Sequence, residues 1–190
     1  MLDAQMGLES IIFSAPIFLI MENIYGKKVN KRIKELFSKK DYSNLKVLDL
    51  GCGNGANSLF FARKGALVTA VDIDKKALRS FSHKNITKYH MDIKLFFKKY
   101  TEKRYNVILA LNVLQFLTIK EIRNIIPKIL NNLRKNGVLI LVMFNSPVVD
   151  FINTQLDDFK ILDYRHFIQR DKIPSFHTHQ MVFWIAIKAS

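Results

Sequence analysis

The sequence predicts an α/β fold, a largely parallel sheet with helices on both faces. From residue 46 onward, apolar strand-like runs alternate with helix-like segments, and a run such as VLILVMF (138–144) is apolar without a break. Strands that alternate with helices form parallel sheets through crossover connections, and strands buried on both faces read as continuous apolar runs. The 190-residue length suits one domain with one sizeable core. That domain divides into a helical N-terminal extension or lid over 1–44 and a sheet-containing core over 45–190.

Lys46–Leu50 (KVLDL) reads as a buried strand, and Gly55–Lys64 as a helix that stops at Gly65. Leu67–Asp72 (LVTAVD) is the second strand, followed by a short helix over Lys75–Phe81. A third strand is read at Thr87–Met91, a helix at Ile93–Tyr100 and a fourth strand at Tyr105–Leu111 (YNVILAL). Thr118 and Glu121 have the spacing of a capping box. Ile122, Ile125, Ile126, Ile129, Leu130 and Leu133 then give one apolar helical face. Pro127 predicts a kink in that helix, and Asn136-Gly137 predict its end before the fifth strand, Val138–Phe144. Two final strands, Lys160–Phe167 and Gln180–Lys188, follow one another without an intervening helix pattern, which predicts an antiparallel hairpin at the end of the sheet.

Within the first 44 residues, Ile11–Met21 (IIFSAPIFLIM) is apolar but far shorter than the ~20 residues of a membrane span and contains Pro16. Asp3 and Glu9 precede it in place of a basic leader, so neither a transmembrane segment nor a secretory signal is expected. The run reads as helix packing on the domain or on a second subunit, leaving monomer and homodimer both open. A second reading joins it to Lys27, Lys28, Lys31, Arg32 and Lys34 as a contact with anionic lipid.

The chain is 49 % hydrophobic and carries a formal charge of +14, from 30 basic and 16 acidic residues. That excess keeps a nucleic-acid partner open without favouring it. The basic residues are spread along the chain among many Asn and Ile, as an AT-rich genome would also encode. The single cysteine, Cys52, excludes intrachain disulfides and four-cysteine metal sites and fits a reducing, cytoplasmic compartment.

The residues that carry chemistry begin with Val47-Leu48-Asp49-Leu50-Gly51-Cys52-Gly53-Asn54-Gly55, between a predicted strand and a predicted helix. Glycines there let the backbone approach a ligand and make turns closed to other residues. The spacing is G-x-G-x-G, and Asp49 precedes it. A carboxylate at that place disfavours a pyrophosphate and suits a cationic ligand, such as the ammonium and sulfonium of S-adenosylmethionine. Cys52, inside the loop, reads as a small buried residue rather than a nucleophile. Asp72 ends the second strand 19 residues after Gly53, where an acid accepts hydrogen bonds from ribose hydroxyls. Ile73 follows it and is grouped with the cofactor-binding residues, while Asp74 reads as a turn aspartate. Asp92-Ile93 follows the third strand and has two readings of equal weight. In one, Asp92 accepts from an adenine amino group while Ile93 packs on the ring; in the other, Asp92 caps the next helix.

These segments resemble the class I S-adenosylmethionine-dependent methyltransferases. Within that family LDLGCGNGANSLFFARKGALVTAVD, including Asn57-Ser58, resembles the tellurite-resistance-type enzymes. So does VILALNVLQFLTIKEIRNIIPKILNNLRKNGVLIL, with its mid-helix Pro127. The resemblance covers roughly residues 45–145 and thins over 146–190; Lys135-Asn136-Gly137 stands where the family has Pro-Gly-Gly-like punctuation. It implies a Rossmann-like three-layer sandwich whose mostly parallel seven-stranded sheet has an antiparallel last strand. It also implies S-adenosylmethionine as cofactor at the carboxyl ends of the strands. Gly51, Gly53, Asn54 and Gly55 would hold its methionine and ribose part, Asp72 the ribose and Asp92 the adenine. Leu111 and Asn112 would lie near the transferable methyl.

No residue type here forces a catalytic base. Asn112, His177 and His179 are the candidates; the two histidines flank Thr178 before the last strand and also read as loop residues. A third metal ligand beside them is not apparent, so no metal site is expected. His83, His90 and His166 have no motif context. The position after the fourth strand reads Leu111-Asn112-Val113-Leu114, without the Asp/Asn-Pro-Pro-aromatic motif of enzymes that methylate exocyclic amines. No second cysteine exists for C5-cytosine chemistry. These absences favour a small-molecule acceptor, and the resemblance extends to chalcogen oxyanions and thiols. The N-terminal segment and Ser146–Gln180 are expected to form the acceptor pocket or its lid, with Tyr25, Phe144, Phe151, Tyr164 and Phe176 as pocket or core residues. An RNA or DNA methyltransferase and a non-catalytic S-adenosylmethionine-binding protein are the alternatives. An NAD-dependent oxidoreductase fits the glycine spacing less well.

Overall fold

A computed structural model describes residues 28–38, 41–100, 104–171 and 177–189. Ile11–Met21, Tyr25, Lys27 and Phe176 lie outside them. The elements in chain order are α1 (Lys31–Leu36), β1 (Lys46–Leu50), α2 (Ala56–Arg63), β2 (Leu67–Asp72), α3 (Lys75–Arg79), β3 (Ile86–His90) and α4 (Ile93–Lys99). They continue with β4 (Tyr105–Leu111), a 3₁₀ turn (Leu114–Phe116), α5 (Ile119–Asn131), β5 (Leu133–Phe144), α6 (Val149–Gln155), β6 (Phe159–Asp171) and β7 (His177–Lys188).

One seven-stranded sheet has the order β3-β2-β1-β4-β5-β7-β6. The pairs among β1 to β5 are all parallel, and β7 is antiparallel to both β5 and β6. The expected Rossmann-like sandwich with one antiparallel strand is the architecture observed. Strand order reverses between β1 and β4, so the connections after both strands emerge together at the carboxyl end of the sheet. Open α/β sheets bind ligands at such a switch point.

Side chains alternate between the two faces of the sheet. Leu48, Leu50, Ile108, Leu139, Leu141 and Trp184 pack with Phe96, Phe97, Ile122, Ile126 and Ile152 of α4, α5 and α6. On the other face Val47, Val107, Leu109, Ile140, Phe183 and Ile185 pack with Ile33 and Leu36 of α1, Phe37 and Phe61 of α2. The Phe37 and Phe61 rings meet edge-on at 4.9 Å. Burying each such side chain stabilises the fold by about 1.5–3 kcal/mol, which explains why the apolar strands outlast every local irregularity. A smaller cluster of Cys52, Ala70, Leu78 and Phe81 underlies the β1–α2 loop.

The capping box forms: Thr118 Oγ1 accepts from Glu121 N, and Glu121 Oε2 accepts from Thr118 N at 2.9 Å. Pro127 lies inside α5. Several boundaries differ from expectation. The helix ends at Asn131, capped by Asn132, whose side chain donates back to Lys128 O at 2.9 Å. Leu133 therefore opens β5 rather than closing the helical face. Asn136, in the left-handed region at φ 58°, and Gly137 mark an irregularity within β5, where register shifts from Tyr105–Leu133 to Val107–Val138. Both residues tolerate turn geometry, and here the turn falls inside a strand span instead of between elements. β3 runs one residue earlier than predicted, and β6 and β7 are longer.

Candidate functional site

The loop from Gly51 to Gly55 joins β1 to α2 at the carboxyl end of the sheet. Its three glycines all have left-handed backbone, at φ 66°, 51° and 73°. Two of them are also closely packed: a Cβ on Gly51 would lie 2.6 Å from Val113, and one on Gly55 would lie 2.5 Å from the Phe81 ring. A Cβ on Gly53 would meet nothing of the described residues within 4 Å, so among them the middle of the loop borders open space that a ligand can enter. Gly51 N and Cys52 N both donate to Val71 O, which fastens the loop to β2. Phe81 is held in turn by Lys88, whose ammonium donates to Leu78 O and Phe81 O at 2.8 Å each. Cys52 is buried, and burial pushes its thiol well above the ordinary range. It therefore packs as an apolar residue, as expected.

Asp72 stands at the end of β2 with its carboxylate against the loop. Its Oδ2 accepts from Gly53 N at 2.7 Å, and its Oδ1 accepts from Asp74 N at 2.8 Å. Asp74 caps α3 by accepting from Lys76 N and Ala77 N, which is the turn role read for it. Ile73 is 70 % exposed beside Asp72, and His90 Nε2 reaches its carbonyl oxygen at 3.0 Å. Asp49 is buried under the loop, where Ser58 Oγ donates to its Oδ2 at 2.6 Å. Burial pushes its pKa up from 3.8 to about 6; the Ser58 hydrogen bond opposes the rise and the Asp72 charge adds to it.

At the end of β3, Asp92 caps α4 by accepting from Lys94 N at 2.6 Å, so the helix-cap reading is realised. Lys94 also bridges to Glu121 Oε1 at 2.5 Å, tying α4 to the capping box of α5. Ile93, expected against an adenine ring, is 5 % exposed and packs in the core with Leu48 and Phe96. The side chain turns inward because Ile93 opens the buried face of α4; the exposed apolar group at this end is Ile73.

After β4, Leu111 is half-buried and Asn112 turns the chain in the left-handed region at φ 56°. Asn112 N donates to Val142 O at 2.8 Å, yet neither polar atom of its buried side chain has a hydrogen-bond partner. The same holds for both polar atoms of Gln115, in the 3₁₀ turn, and for Ser146 Oγ, just past β5. Gln115 is absent from the sequence expectations, and nothing local marks a lone Gln within LNVLQFL; only the burial of its amide atoms does. His179, near the start of β7, stacks on Phe144 with ring centroids 4.5 Å apart. Backbone pairing places His177 opposite Asp171, and its side chain lies outside the description. Asn54 accepts at 3.5 Å from Ser80 Oγ. Phe151 lies under the Arg123 guanidinium at 5.4 Å. Tyr164 lies away from the rim, on edge strand β6 opposite Trp184, where its hydroxyl meets His166 Nε2 at 3.0 Å. It belongs to that edge rather than to the loop cluster, because its register places it level with the middle of β5.

The residues present fit S-adenosylmethionine. An open loop of amides, a carboxylate at the end of β2, an exposed apolar side chain beside it and a buried carboxylate under the loop lie together at the carboxyl end of β1 and β2. Residues 47–137 match the family model of the methyltransferase domain. The ubiquinone biosynthesis O-methyltransferase of Pelagibacter ubique is 29 % identical over 136 residues, 70 % of this chain and 54 % of that protein. The ribosomal protein L11 methyltransferase of Thermosipho melanesiensis is 30 % identical over 134 residues, 68 % of this chain and 48 % of that one. The chain thus spans about half the length of these curated relatives. In structure, TehB from Haemophilus influenzae superposes with a TM-score of 0.64 at 19 % identity, covering 82 % of this chain and 65 % of that one. The N-methyltransferase NodS from Bradyrhizobium japonicum gives 0.60 at 16 %, covering 77 % and 86 %. Likeness at that identity shows the shared fold and leaves the tellurite-resistance subfamily unassigned. The family match over residues 47–137, the sheet order and the glycine loop agree in supporting a class I S-adenosylmethionine-dependent methyltransferase.

Proposed function

We propose that this chain transfers a methyl group from S-adenosylmethionine to a small-molecule acceptor, and that the acceptor atom is oxygen. The observation that carries the reading is the loop of three left-handed glycines whose middle amide is held by Asp72 while its outer face stays open. When bound, the cofactor supplies an electrophilic methyl on a sulfonium, so the protein's work is alignment and exclusion of water. Gly51, Cys52, Gly53, Asn54 and Gly55 hold the methionine and ribose portion. Asp49 meets its cationic end in the ionised form, Asp72 takes the ribose hydroxyls and Ile73 flanks the adenine. Asp92 receives the adenine amino group in addition to capping α4. Leu111 and Asn112 border the methyl. His179 is the described histidine at the acceptor end, suited to receive a proton from a hydroxyl acceptor.

The choice of oxygen rests on the relatives named as O-methyltransferases; tellurite, selenite and thiols form the second tier of an acceptor screen. We read 1–44 as a helical extension or lid of a single domain, with its α1 part packed on the sheet, and the active form as monomer or homodimer. Among the described residues no helix is long and apolar enough to cross a membrane.

Calorimetric titration with S-adenosylmethionine, beside an Asp72→Ala variant and an NAD control, tests the reading. Binding that weakens in the variant is expected. Tighter binding of NAD, or none of S-adenosylmethionine to folded protein, would overturn it.

A further inference from the structure

The polar groups that lack partners are not scattered. Among the described residues, three side chains, buried Asn112 and half-buried Gln115 and Ser146, have all their polar atoms buried and none of them hydrogen-bonded. All three lie in the connections that follow β4 and β5, which are adjacent strands. Asn112 is tied by its own backbone to Val142 of β5, and the 3₁₀ turn carrying Gln115 packs on the same strand. Buried polar groups in native proteins are otherwise hydrogen-bonded, to protein, water or ligand, so atoms that the chain itself leaves unmet mark a place for such a partner. Asn112 borders the methyl in the reading above; Gln115 follows it by three residues in the same connection, and Ser146 stands in the connection after the neighbouring strand. Their chemistry is also selective. A carboxamide and a hydroxyl offer donors and acceptors without charge, whereas an oxyanion is held by cationic or charge-assisted donors. Exposed apolar side chains, Phe116 and Ile119, flank the same turn.

We propose that Gln115 and Ser146 are specificity-determining residues of the acceptor subsite, and that they select an uncharged, hydrogen-bonding acceptor over an oxyanion. The proposal rests on the cofactor reading above. It predicts an inversion of the usual mutational pattern. Removing an unmet buried amide leaves the empty protein at least as stable, because nothing in the empty protein loses a bond. Removing it costs acceptor binding.

The test uses the full chain loaded with S-adenosylhomocysteine, as wild type, Gln115→Met and Ser146→Ala, with catechol as the uncharged probe and tellurite as the oxyanion. Both variants are expected to melt at or above the wild-type temperature and to bind S-adenosylhomocysteine within about twofold of it. Catechol binding, followed by ligand-observed NMR, is expected to weaken about tenfold in Gln115→Met, with tellurite bound by none of the three. The proposal is overturned by a variant that melts several degrees lower, by equal catechol affinity in wild type and variant, by loaded wild type that ignores catechol, or by preference for tellurite. Failure of wild type to bind S-adenosylhomocysteine would instead sink the cofactor reading, and the melting temperatures would still judge the inference.

Discussion

The two halves of the sheet's carboxyl end handle polar groups in opposite ways. On the β1–β2–β3 side every carboxylate already has a donor: Ser58 serves Asp49, Gly53 and Asp74 serve Asp72, and Lys94 serves Asp92. On the β4–β5 side the polar side-chain atoms of Asn112, Gln115 and Ser146 are buried with none among the described residues. The first half is organised before any ligand arrives, as a site for a constant cofactor should be, since preorganised groups need no rearrangement on binding. The second half carries unmet hydrogen-bonding capacity, as a site completed by its ligand would.

The largest effect expected from breaking this contrast is on the organised side. Gly51→Ala and Gly55→Ala combine left-handed backbone with a Cβ placed inside Val113 or the Phe81 ring. Each should destabilise the protein by about 2–5 kcal/mol in urea unfolding. Gly53→Ala, with open space around its Cβ, should cost only about 1 kcal/mol of backbone strain. Equal losses at all three positions would show that packing does not set the loop's shape.

Next in size, Asp72→Asn replaces a charged acceptor that serves two backbone amides and the proposed ribose contact. Affinity for S-adenosylmethionine should fall about 100-fold by calorimetry. A loss under about threefold would mean the carboxylate serves the loop alone.

Asp49 supplies a pH signature. Its folded pKa is raised to about 6. Its contribution to stability is therefore present below its ordinary value of 3.8 and lost as pH rises through about 6. Binding of a cationic cofactor favours the ionised form and has the opposite slope: affinity is full above about pH 6 and falls toward about tenfold per unit below it. Calorimetry at pH 6 in two buffers of different ionisation enthalpy should register proton release on binding; identical heats would remove Asp49 from the cation's surroundings.

The smallest effect belongs to the acceptor side, where a polar group does have partners. Thr118→Ala breaks the capping box of α5 and should cost about 1 kcal/mol of stability without changing affinity for the cofactor. This is the reverse of the pattern expected for Gln115 and Ser146, so the pair of results separates structural polar groups from ligand-facing ones.

Much of the organised half was legible before any fold was known. β1, β2 and β4 occupy Lys46–Leu50, Leu67–Asp72 and Tyr105–Leu111, the spans predicted from mostly apolar strand-like runs. The capping box was legible because its hydrogen bonds close within four residues. The α5–β5 boundary was not: Asn136-Gly137 carries a turn signal at the sequence level, but Asn132 caps the helix four residues earlier. Pairing of Tyr105 with Leu133 then draws the intervening residues into the strand's span. The inward turn of Ile93 was not legible for a related reason, since a residue after a strand can face ligand or core and the packing of α4 on Leu48 and Leu50 turns this side chain to the core.

The sequence by itself determined the alternation of strands and helices, the glycine loop and the acid that ends β2. These depend on local periodicity, on backbone freedom at three glycines and on a fixed chain distance. Only the tertiary structure decided that β7 inserts between β5 and β6, that Asp49 is buried deeply enough to hold its proton toward neutrality, and that Gln115 and Ser146 lack partners. Burial and hydrogen-bond satisfaction are sums over neighbours distant in the chain, and no local pattern of residues encodes them.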